Sequence, residues 1–273
     1  MRIVAVGECT RDHYTGRGVD TIGGISLNFA VHARACGAAE SALVSCTGAD
    51  PWGAAVRATL GRAAVDGAHV HTRAGETASQ AIEMIEGGER RFPPGGYNPG
   101  VLSTFELDAR DLAFIATFDV VAAPFFRQVA HLFGPAMQAA GSRATRVADL
   151  LDGQDLGADL SGIDALLDTL DLVFISGNDE TVQRLLPRSA RTRTLIVVTH
   201  GAGGSSALAG GRRYVEPAVP VPLEQRVDTT GCGDAFQAAF VLTYLRNRAI
   251  PDALRAGAQR AARVIRHLGA TTC

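Results

Sequence analysis

Short apolar runs alternate with segments of helical spacing along most of the chain. Apolar runs that stop at a glycine or a polar residue indicate buried strands, whereas apolar positions repeated every three to four residues indicate helices. The predicted strands are 3–6, 41–46, 69–71, 120–123, 145–150, 172–176 and 195–199, and the predicted helices are 29–36, 51–64, 109–117, 127–140, 178–186, 233–247 and 251–268. This alternation predicts an α/β fold, a three-layer sandwich with a mostly parallel sheet between two layers of helices.

The pattern changes between residues 77 and 100. Two extended runs, 78–86 and 89–92, are separated by a glycine pair, which is a strong signal for a β-hairpin. The next segment, 93–100, holds so many proline and glycine residues that it predicts a loop. A hairpin and loop outside the α/β pattern are suited to cover a substrate and exclude water, so we expect a β-hairpin lid here.

Composition is that of an ordinary globular protein. The chain has 273 residues, of which 47% are hydrophobic and 20% charged, and its formal net charge is −2. This charge gives no reason to expect a nucleic-acid or membrane partner, so we expect a small-molecule substrate. The first apolar run, 3–6, is too short for a signal peptide, and no run reaches the roughly eighteen residues of a membrane span. We therefore expect a cytoplasmic protein.

The lysine and cysteine content of the chain excludes several kinds of active site and metal site. All 26 basic residues are arginine, because the chain contains no lysine. A Walker A loop, a pyridoxal-phosphate Schiff base and a protein-kinase nucleotide site each need a lysine, so all three are excluded. The cysteines are odd in number and lack C-x-x-C spacing, which argues against a disulfide framework or a structural zinc site. They are Cys9, Cys36, Cys46, Cys232 and Cys273.

The stretch 228–234 carries the clearest candidate chemistry. It reads Asp-Thr-Thr-Gly-Cys-Gly-Asp and leads directly into an apolar helix. Its glycines let backbone N–H groups approach a ligand, and the start of a helix favours negative charge. The turn is therefore suited to hold an anion beside the carboxylate of Asp234. A tight strand-to-helix turn with an aspartate in the first helical turn is the structural alternative.

Two N-terminal features are candidates for binding a polyhydroxylated ligand. Asp12 follows the first predicted strand, and open α/β sheets bind ligands beyond the carboxyl ends of their strands. Gly23 and Gly24 precede a helix that carries Asn28 in its first turn, an arrangement that exposes amide groups. A glycine turn before a capped helix explains the same residues without a ligand, so both explanations stay open.

A pair of histidines raises the question of a metal. His69 and His71 lie two residues apart, so on a strand both face the same side as potential metal ligands. No cysteine or carboxylate cluster accompanies them in the sequence. We therefore interpret both histidines as surface residues of an edge strand.

Taken together, these motifs resemble the ribokinase-like (PfkB) carbohydrate kinases. The stretch 228–234 is similar to the family's signature, which usually has alanine at the position of Cys232. The glycine pair with Asn28 looks like the family's N-terminal motif, and 48–53 looks like its G-x-D-x-x-G element.

The resemblance continues through the rest of the chain. The hairpin 78–92 falls where the family inserts its substrate lid, and 198–204 is similar to its nucleotide-side turn. Within the family, the segments 69–73 and 89–92 look most like those of fructoselysine 6-kinases.

This resemblance implies one ribokinase-like domain, 1–273, in which lid segments at about 12–22 and 77–100 form a small β subdomain. It implies ATP-dependent phosphorylation of a hydroxyl of a sugar or sugar derivative, either a fructosamine of the fructoselysine type or a simple ketose or pentose. ATP and Mg²⁺ are implied, a monovalent cation is a further candidate, and the lid is a candidate homodimer contact.

Functional residues follow from the resemblance position by position. Asp234 is the implied general base on the acceptor hydroxyl, and the implied phosphoryl-binding amides are those of Gly231, Cys232 and Gly233. The implied acceptor site comprises Asp12, Gly23, Gly24, Asn28, Arg91 and Asn98. The implied nucleotide side comprises Asn178, Thr199, Gly201, Gly204, Asp228 and Thr229.

Two positions depart from the family pattern. The family usually carries an Asn-x-x-Glu element that organises magnesium and phosphate, but here Thr181 stands at the glutamate position and Glu180 is the candidate replacement at the metal. Cys232 replaces a smaller residue, and its place near a helix N-terminus predicts a lowered thiol pKa and sensitivity to oxidation. Neither departure removes Asp234.

Two other functions stay open. One is a nucleoside kinase, for which a purine nucleoside is the best acceptor. The other is a catalytically weak homologue that binds a sugar or nucleotide as a regulator. A phosphotransfer screen over ribose, fructose, nucleosides and fructosamines separates these functions from a sugar kinase.

Overall fold

The part of the chain that the structure describes forms two β-sheets and eight α-helices. The computed structural model describes residues 1–157 and 159–271, so Cys273 lies outside the described residues. In chain order the strands are β1 (Arg2–Val6), β2 (Thr10–Thr15), β3 (Val19–Gly23), β4 (Glu40–Gly48), β5 (Val70–Arg73), β6 (Ser79–Met84), β7 (Arg90–Arg91), β8 (Tyr97–Asn98), β9 (Val120–Pro124), β10 (Thr145–Asp149), β11 (Leu172–Ser176), β12 (Leu195–Thr199), β13 (Ser205–Ala209) and β14 (Arg212–Glu216). The helices are α1 (Ile25–Ala35), α2 (Pro51–Arg62), α3 (Ala109–Ile115), α4 (Ala130–Ala139), α5 (Asp164–Leu167), α6 (Asp179–Ser189), α7 (Cys232–Asn247) and α8 (Ile250–Val264).

The main sheet has nine strands in the order β14-β13-β12-β11-β10-β9-β1-β4-β5. The seven strands from β12 to β5 are parallel to their neighbours, and β13 and β14 add an antiparallel edge. In the centre, Val4 of β1 pairs with Ala42 on one side and Val121 on the other. The carboxyl ends of the parallel strands therefore share one edge, where α/β sheets bind ligands.

Helices cover both faces of this sheet. Ile3 and Ala5 of β1 pack in one core with residues of α1, α2, α7 and α8. Val4 and Val6 pack in a second core with residues of α3, α4, α5 and α6. Because neighbouring strand residues face opposite sides, one fully buried strand supplies both cores. The predicted three-layer α/β fold is confirmed.

The second sheet is small and has the order β3-β2-β6-β7, with β8 also paired to β6. Strands β2 and β3 form a hairpin, and β2 pairs with β6 in parallel. The segments predicted as a lid thus lie in one sheet. Strand β2 is buried at every second residue, at Thr10, Asp12 and Tyr14, so one of its faces is turned inward.

Several boundaries differ from those predicted. The helix predicted from 127 starts only at Ala130, and the last helix ends at Val264 rather than 268. The sequence between 152 and 162 has little pattern, and the helix that follows it, α5, is a single turn. Among the described residues, no helix combines the length and the apolar composition needed to cross a membrane.

One aromatic side chain tests the packing of α7 against the sheet. Phe240 is fully buried and meets Phe174 of β11 edge to face, with ring centroids 5.5 Å apart. We expect Phe240→Ala to lower the free energy of unfolding by about 3–5 kcal/mol, because it leaves a cavity in the core. Denaturant unfolding measures this loss. Val215→Ala, at a position 60% exposed, is the control and should change it by less than about 0.5 kcal/mol; equal effects of the two variants would contradict the packing argument.

Candidate active site

Asp234 lies in the first turn of α7, buried beside the first turn of α1. Asn28 Nδ2 donates a hydrogen bond to Asp234 Oδ2 at 2.7 Å, although the two residues are 206 positions apart. Asp234 is 9% exposed and Asn28 is 3% exposed. The predicted anion-holding turn and the N-terminal glycine pair therefore meet at one place.

The turn before α7 leaves its backbone open to a ligand. Gly231 adopts φ +79°, in the left-handed region, and a Cβ added there would lie 2.4 Å from the Cβ of Ala270. Only glycine fits this position without a backbone shift. A Cβ added at Gly233 would meet no atom within 4 Å. The space beside the first turn of α7 is therefore open, and the start of a helix is suited to bind a phosphate group.

Four acidic side chains share this region. Burial, followed by the charge of Asp149, raises the pKa of Asp234 to about 7, while Asn28 and Arg90 oppose the rise. Burial, with further contributions from Glu8 and Asp234, raises the pKa of Asp12 to about 7. Burial also raises the pKa of Glu8 and of Asp149. Carboxyls that titrate near neutral pH are typical of proton-transfer sites.

The carboxylate of Asp12 packs against the backbone of Gly23. A Cβ added at Gly23 would lie 2.0 Å from Asp12 Oδ2, and one added at Gly24 would lie 2.7 Å from Cys9 Cα. Both glycines are therefore needed for close packing between β3, α1 and the end of β1. Thr10 Oγ1 donates to Asp12 Oδ1 at 2.6 Å and holds the carboxylate in place.

Three buried polar atoms near these residues have no hydrogen-bond partner within the described chain. They are Glu8 Oε2, Asn28 Oδ1 and the hydroxyl of Tyr97. The nearby Glu8 carboxyl raises the pKa of Tyr97, after burial itself, so these two groups lie side by side. Unpaired buried polar atoms cost free energy unless a ligand or water satisfies them. A ligand rich in hydroxyl groups fits this wall of the site.

Asp228 is fully buried and bonded on all sides by protein groups. Its Oδ2 accepts from the Tyr14 hydroxyl at 2.5 Å and from the Gly269 amide at 2.9 Å. Its Oδ1 accepts from the Thr230 amide at 2.8 Å. The carboxylate therefore ties the lid strand β2 and the turn after α8 to the anion-holding turn.

Lid residue Arg90 reaches this turn, whereas its neighbour Arg91 does not. Arg90 Nη1 donates to the carbonyl oxygen of Thr229 at 2.8 Å and to its Oγ1 at 3.0 Å. The side chain of Arg91 is 68% exposed and pairs with Glu83. Neighbouring strand residues face opposite sides, so Arg90 has the position expected for Arg91. Asn98, the other lid candidate, accepts from the Gly100 amide at 3.0 Å and so closes the loop.

The candidate nucleotide residues lie at the ends of β11 and β12. Thr199 Oγ1 is 3.2 Å from Ser176 Oγ, so the two hydroxyls share a hydrogen bond. Gly201 and Gly204 have φ +56° and +93°, and a Cβ at Gly204 would lie 2.3 Å from the carbonyl oxygen of Glu216. This turn, which leads into β13, brings bare backbone to the edge of the sheet and fits the close approach of a ligand.

The residues that replace the Asn-x-x-Glu element have local roles. Asn178 caps α6, because its Oδ1 accepts from the Thr181 amide at 3.1 Å. Glu180 is 67% exposed and pairs with Arg184 one turn later in the same helix. The described side chains therefore give no support to Glu180 as a metal ligand.

The prediction of a lowered thiol pKa for Cys232 is wrong. Burial raises this pKa to about 12, and the nearby Arg90 only partly opposes the rise. Cys232 Sγ donates to the carbonyl oxygen of Ala261 in α8 at 3.6 Å. The side chain thus faces the neighbouring helix, while the backbone amide belongs to the start of α7.

Several site residues were missed by the sequence reasoning. Glu8 follows the glycine that ends β1, so the rule that sheets bind ligands at strand ends would have found it. Tyr14 follows Asp12 by two residues, so strand periodicity would have placed both on one face. For Tyr97, which lies in the glycine- and proline-rich loop, no such signal exists.

Comparison with known proteins agrees with this geometry. The model of the pfkB family carbohydrate kinases matches residues 3–273. The fructoselysine 6-kinase of Escherichia coli K12 is 30% identical over 271 residues, 98% of each chain. A fructokinase of Klebsiella pneumoniae is 32% identical over 270 residues, 88% of this chain and 82% of its own.

Solved structures share the fold. An adenosine kinase from Sinorhizobium meliloti superposes with a TM-score of 0.83 at 20% identity, covering 99% of this chain and 95% of its own. A candidate ribokinase II from Escherichia coli, in complex with ATP and Mg²⁺, gives a TM-score of 0.80 at 16% identity, covering 99% and 94%. The chain belongs to the pfkB family of carbohydrate kinases and has the ribokinase-like fold, and its reaction is the ATP-dependent phosphorylation of a sugar.

Burial of Asp234 makes stability depend on pH. Between about pH 4 and 7 the unfolded chain loses the Asp234 proton while the folded chain keeps it, so rising pH favours unfolding. We therefore expect the free energy of unfolding of the wild type to fall with pH across this window, compared with that of Asp234→Asn. Above the folded pKa of about 7 the difference between the two proteins should stay constant. Denaturant unfolding of both proteins from about pH 5 to 8 measures this difference in free energy. If the wild type became more stable relative to Asp234→Asn as the pH rises, the raised pKa of Asp234 would be contradicted.

Proposed function

We propose that this kinase phosphorylates a hydroxyl of a fructosamine, a ketose that carries an amine, with Mg-ATP as the phosphoryl donor. The observation that carries the proposal is the buried Asp234 carboxyl, held by Asn28 at the open start of α7. The acceptor class is supported by the E. coli relative, a fructoselysine 6-kinase similar over 98% of both chains. Simple ketoses are the next candidates because a fructokinase is also similar.

Asp234 acts as the general base in this proposal. Since Asn28 donates to Oδ2, the Oδ1 atom is free to accept the proton of the acceptor hydroxyl. A pKa of about 7 lets the carboxyl take this proton at neutral pH and release it afterwards. Asp12, Gly24, Asn28 and the unpaired atoms of Glu8 and Tyr97 would bind the other hydroxyls.

The amides of Gly231 and Gly233 would bind the transferred phosphoryl group, and the Cys232 amide, which donates to the Thr229 carbonyl oxygen at 3.2 Å, would shape the turn around it. Phosphoryl transfer demands mainly that the protein positions the groups and stabilises negative charge. Mg²⁺ would supply charge neutralisation at the phosphates, and we infer that it would be held mainly through water, because Asn178 and Glu180 are engaged within α6. Thr199, Gly201 and Gly204 would lie along the nucleotide.

Two residues of the turn have positioning roles in this proposal. Asp228 is fully buried and both of its carboxylate oxygens accept hydrogen bonds from the protein, so it would act through the turn that it holds. Thr229 receives Arg90 from the lid at its carbonyl oxygen and so couples the lid to the phosphoryl site.

Two finer expectations remain predictions. A homodimer through the lid is supported by Ile85 and Phe92, which are 51% and 50% exposed, and sedimentation velocity tests it. A monovalent cation requirement has no supporting contact within the described chain, and assays in potassium and tetramethylammonium chloride test it.

Removal of the base should abolish most of the activity. We expect Asp234→Asn to lower kcat by about 10²- to 10⁴-fold, because proton transfer from the acceptor is lost. ATP binding should stay within a few-fold, because the phosphoryl-binding amides are unchanged. Steady-state kinetics and calorimetric ATP titration measure the two effects.

A matched control and an acceptor panel complete this test. Asp252→Asn, an exposed carboxylate in α8, should leave kcat unchanged. Near-normal turnover of Asp234→Asn would disprove the base assignment. In the panel, fructosamines should give the highest kcat/KM; a preference for nucleosides, or binding without product, would overturn the proposed acceptor.

Arg90 and Arg91 form a second matched pair. The charge of Arg90 lowers the pKa of Asp234, so Arg90→Gln should raise it and shift the acidic limb of the kcat/KM profile to higher pH. Activity at pH 7 should fall several-fold as the base becomes more protonated. Arg91→Gln, which breaks only the exposed pair with Glu83, should leave the profile in place; identical profiles for both variants would disprove the role of Arg90.

A further inference from the structure

Three side chains far from Asp234 in sequence meet at the edge of the main sheet. His69 Nδ1 donates to Asp111 Oδ1 at 2.7 Å, and His71 Nε2 donates to the same oxygen at 2.9 Å. The interpretation that no carboxylate accompanies these histidines is therefore wrong. Asp111 comes from α3, 42 and 40 residues further along the chain.

The three groups are close enough to share one metal ion. Their ligand atoms all lie within 4.8 Å of one another. Zinc bonds imidazole nitrogen and carboxylate oxygen at roughly 2.0–2.2 Å, so tetrahedral ligands lie about 3.4 Å apart. The hydrogen bonds to Asp111, at 2.7 and 2.9 Å, would have to open by about 0.5–0.7 Å, and ligand atoms up to 4.8 Å apart would have to approach by up to about 1.4 Å, for a zinc ion to bind all three groups.

The donor set indicates which metal would bind. Two imidazoles and one carboxylate suit zinc and its transition-metal neighbours, whereas Mg²⁺ and Ca²⁺ prefer sites made of oxygen. The side chains of His69 and His71 are 22% and 36% exposed. Solvent can therefore supply the fourth ligand, as in other zinc sites with three protein ligands.

Surrounding residues hold the three side chains in position. Asp111 Oδ2 accepts from the Asp108 amide at 3.0 Å, which orients the carboxylate. The ring of His69 stacks on Phe114, with centroids 4.0 Å apart and an angle of 15° between the planes. The ring of His71 lies 5.1 Å from that of Phe105. Supported ligands of this kind raise metal affinity because little ordering remains to be done on binding.

Charge also favours a cation here. Asp111 is fully buried, and within the described chain no arginine contacts its carboxylate. Two imidazoles and one backbone amide are its partners. A buried carboxylate is costly unless it is paired or coordinates a metal, and a divalent ion would supply the missing charge.

We propose that His69, His71 and Asp111 form a zinc site that joins the two ends of the lid segment. Strand β5, which contains His71, ends at Arg73, just before the lid strand β6. Helix α3, which contains Asp111, begins just after the chain leaves the lid. Arg73 Nη1 already donates to the carbonyl oxygen of Thr104 at 2.8 Å, so the same two stems are in contact. The bound metal reinforces this contact and makes the base of the lid more rigid.

The test uses the full chain, stripped of metal by a chelator and kept free of ATP. Zn²⁺ is titrated against a chromophoric competitor into the wild type and into the double variant His69→Asn, His71→Gln. In each substitution the new side-chain amide has an N–H group at the position of the imidazole nitrogen that donates to Asp111. The hydrogen bonds therefore persist while the metal-binding imidazoles are lost. His13→Asn is the matched control, because His13 also donates to an aspartate, Asp20, at 2.8 Å.

We expect one zinc ion per chain in the wild type and in the control, and an affinity at least about 100-fold weaker in the double variant. Zinc should raise the melting temperature of the wild type and of the His13→Asn control, and it should not raise that of the double variant. Equal zinc uptake by the wild type and the double variant, or no uptake by either, overturns the site. If the double variant does not fold, His71→Gln alone serves in its place.

The effect on the lid is measured separately. Zinc should slow amide hydrogen exchange between residues 74 and 104 in the wild type and leave it unchanged in the double variant. Zinc binding without slower exchange in this segment would overturn the connection to the lid. Neither readout depends on kinase turnover, so the outcome is independent of the proposed acceptor.

Discussion

The buried carboxylate of Asp228 holds the active site together. It accepts hydrogen bonds from a lid strand through Tyr14, from the anion-holding turn through Thr230 and from the C-terminal turn through Gly269. Loss of any one of these contacts would leave a buried polar group unsatisfied at a cost of about 1–3 kcal/mol, so each contact favours the others. The aspartate thus makes the catalytic turn depend on two distant parts of the chain.

A second constraint follows from the first. With strand β2 and the turn after α8 packed around the anion-holding turn, the side chains of Asp12 and Asp234 are both buried. Desolvation raises the pKa of both to about 7. In water, Asp234 would be a weak base with a pKa near 4. The burial that lowers stability is therefore the same burial that matches the pKa of the proposed base to neutral pH, and Arg90 limits how far this pKa rises.

The sequence predicts the layered fold well because strands buried on both faces are continuous apolar runs. The strands 172–176 and 195–199 were predicted with the bounds that they have. Contacts between residues that are distant in sequence are harder to predict. The sequence around Asp111 contains no pattern that predicts its contact with His69. Likewise, the sequence Arg90-Arg91 does not indicate which of the two arginines faces inward. Register and long-range packing settle such choices, and a single sequence carries little information about either.

The two departures from the family pattern are accommodated for related physical reasons. At Cys232 the backbone amide donates to the Thr229 carbonyl oxygen within the anion-holding turn at 3.2 Å, while the side chain points to Ala261 in α8. Exchange of alanine for cysteine thus alters helix packing and leaves the amide in place. At Thr181 the side chain completes a capping box with Asn178, so the start of α6 stays fixed without a glutamate. Side chains can therefore change where the local backbone is still held, and Gly231, whose φ of +79° favours glycine, is kept.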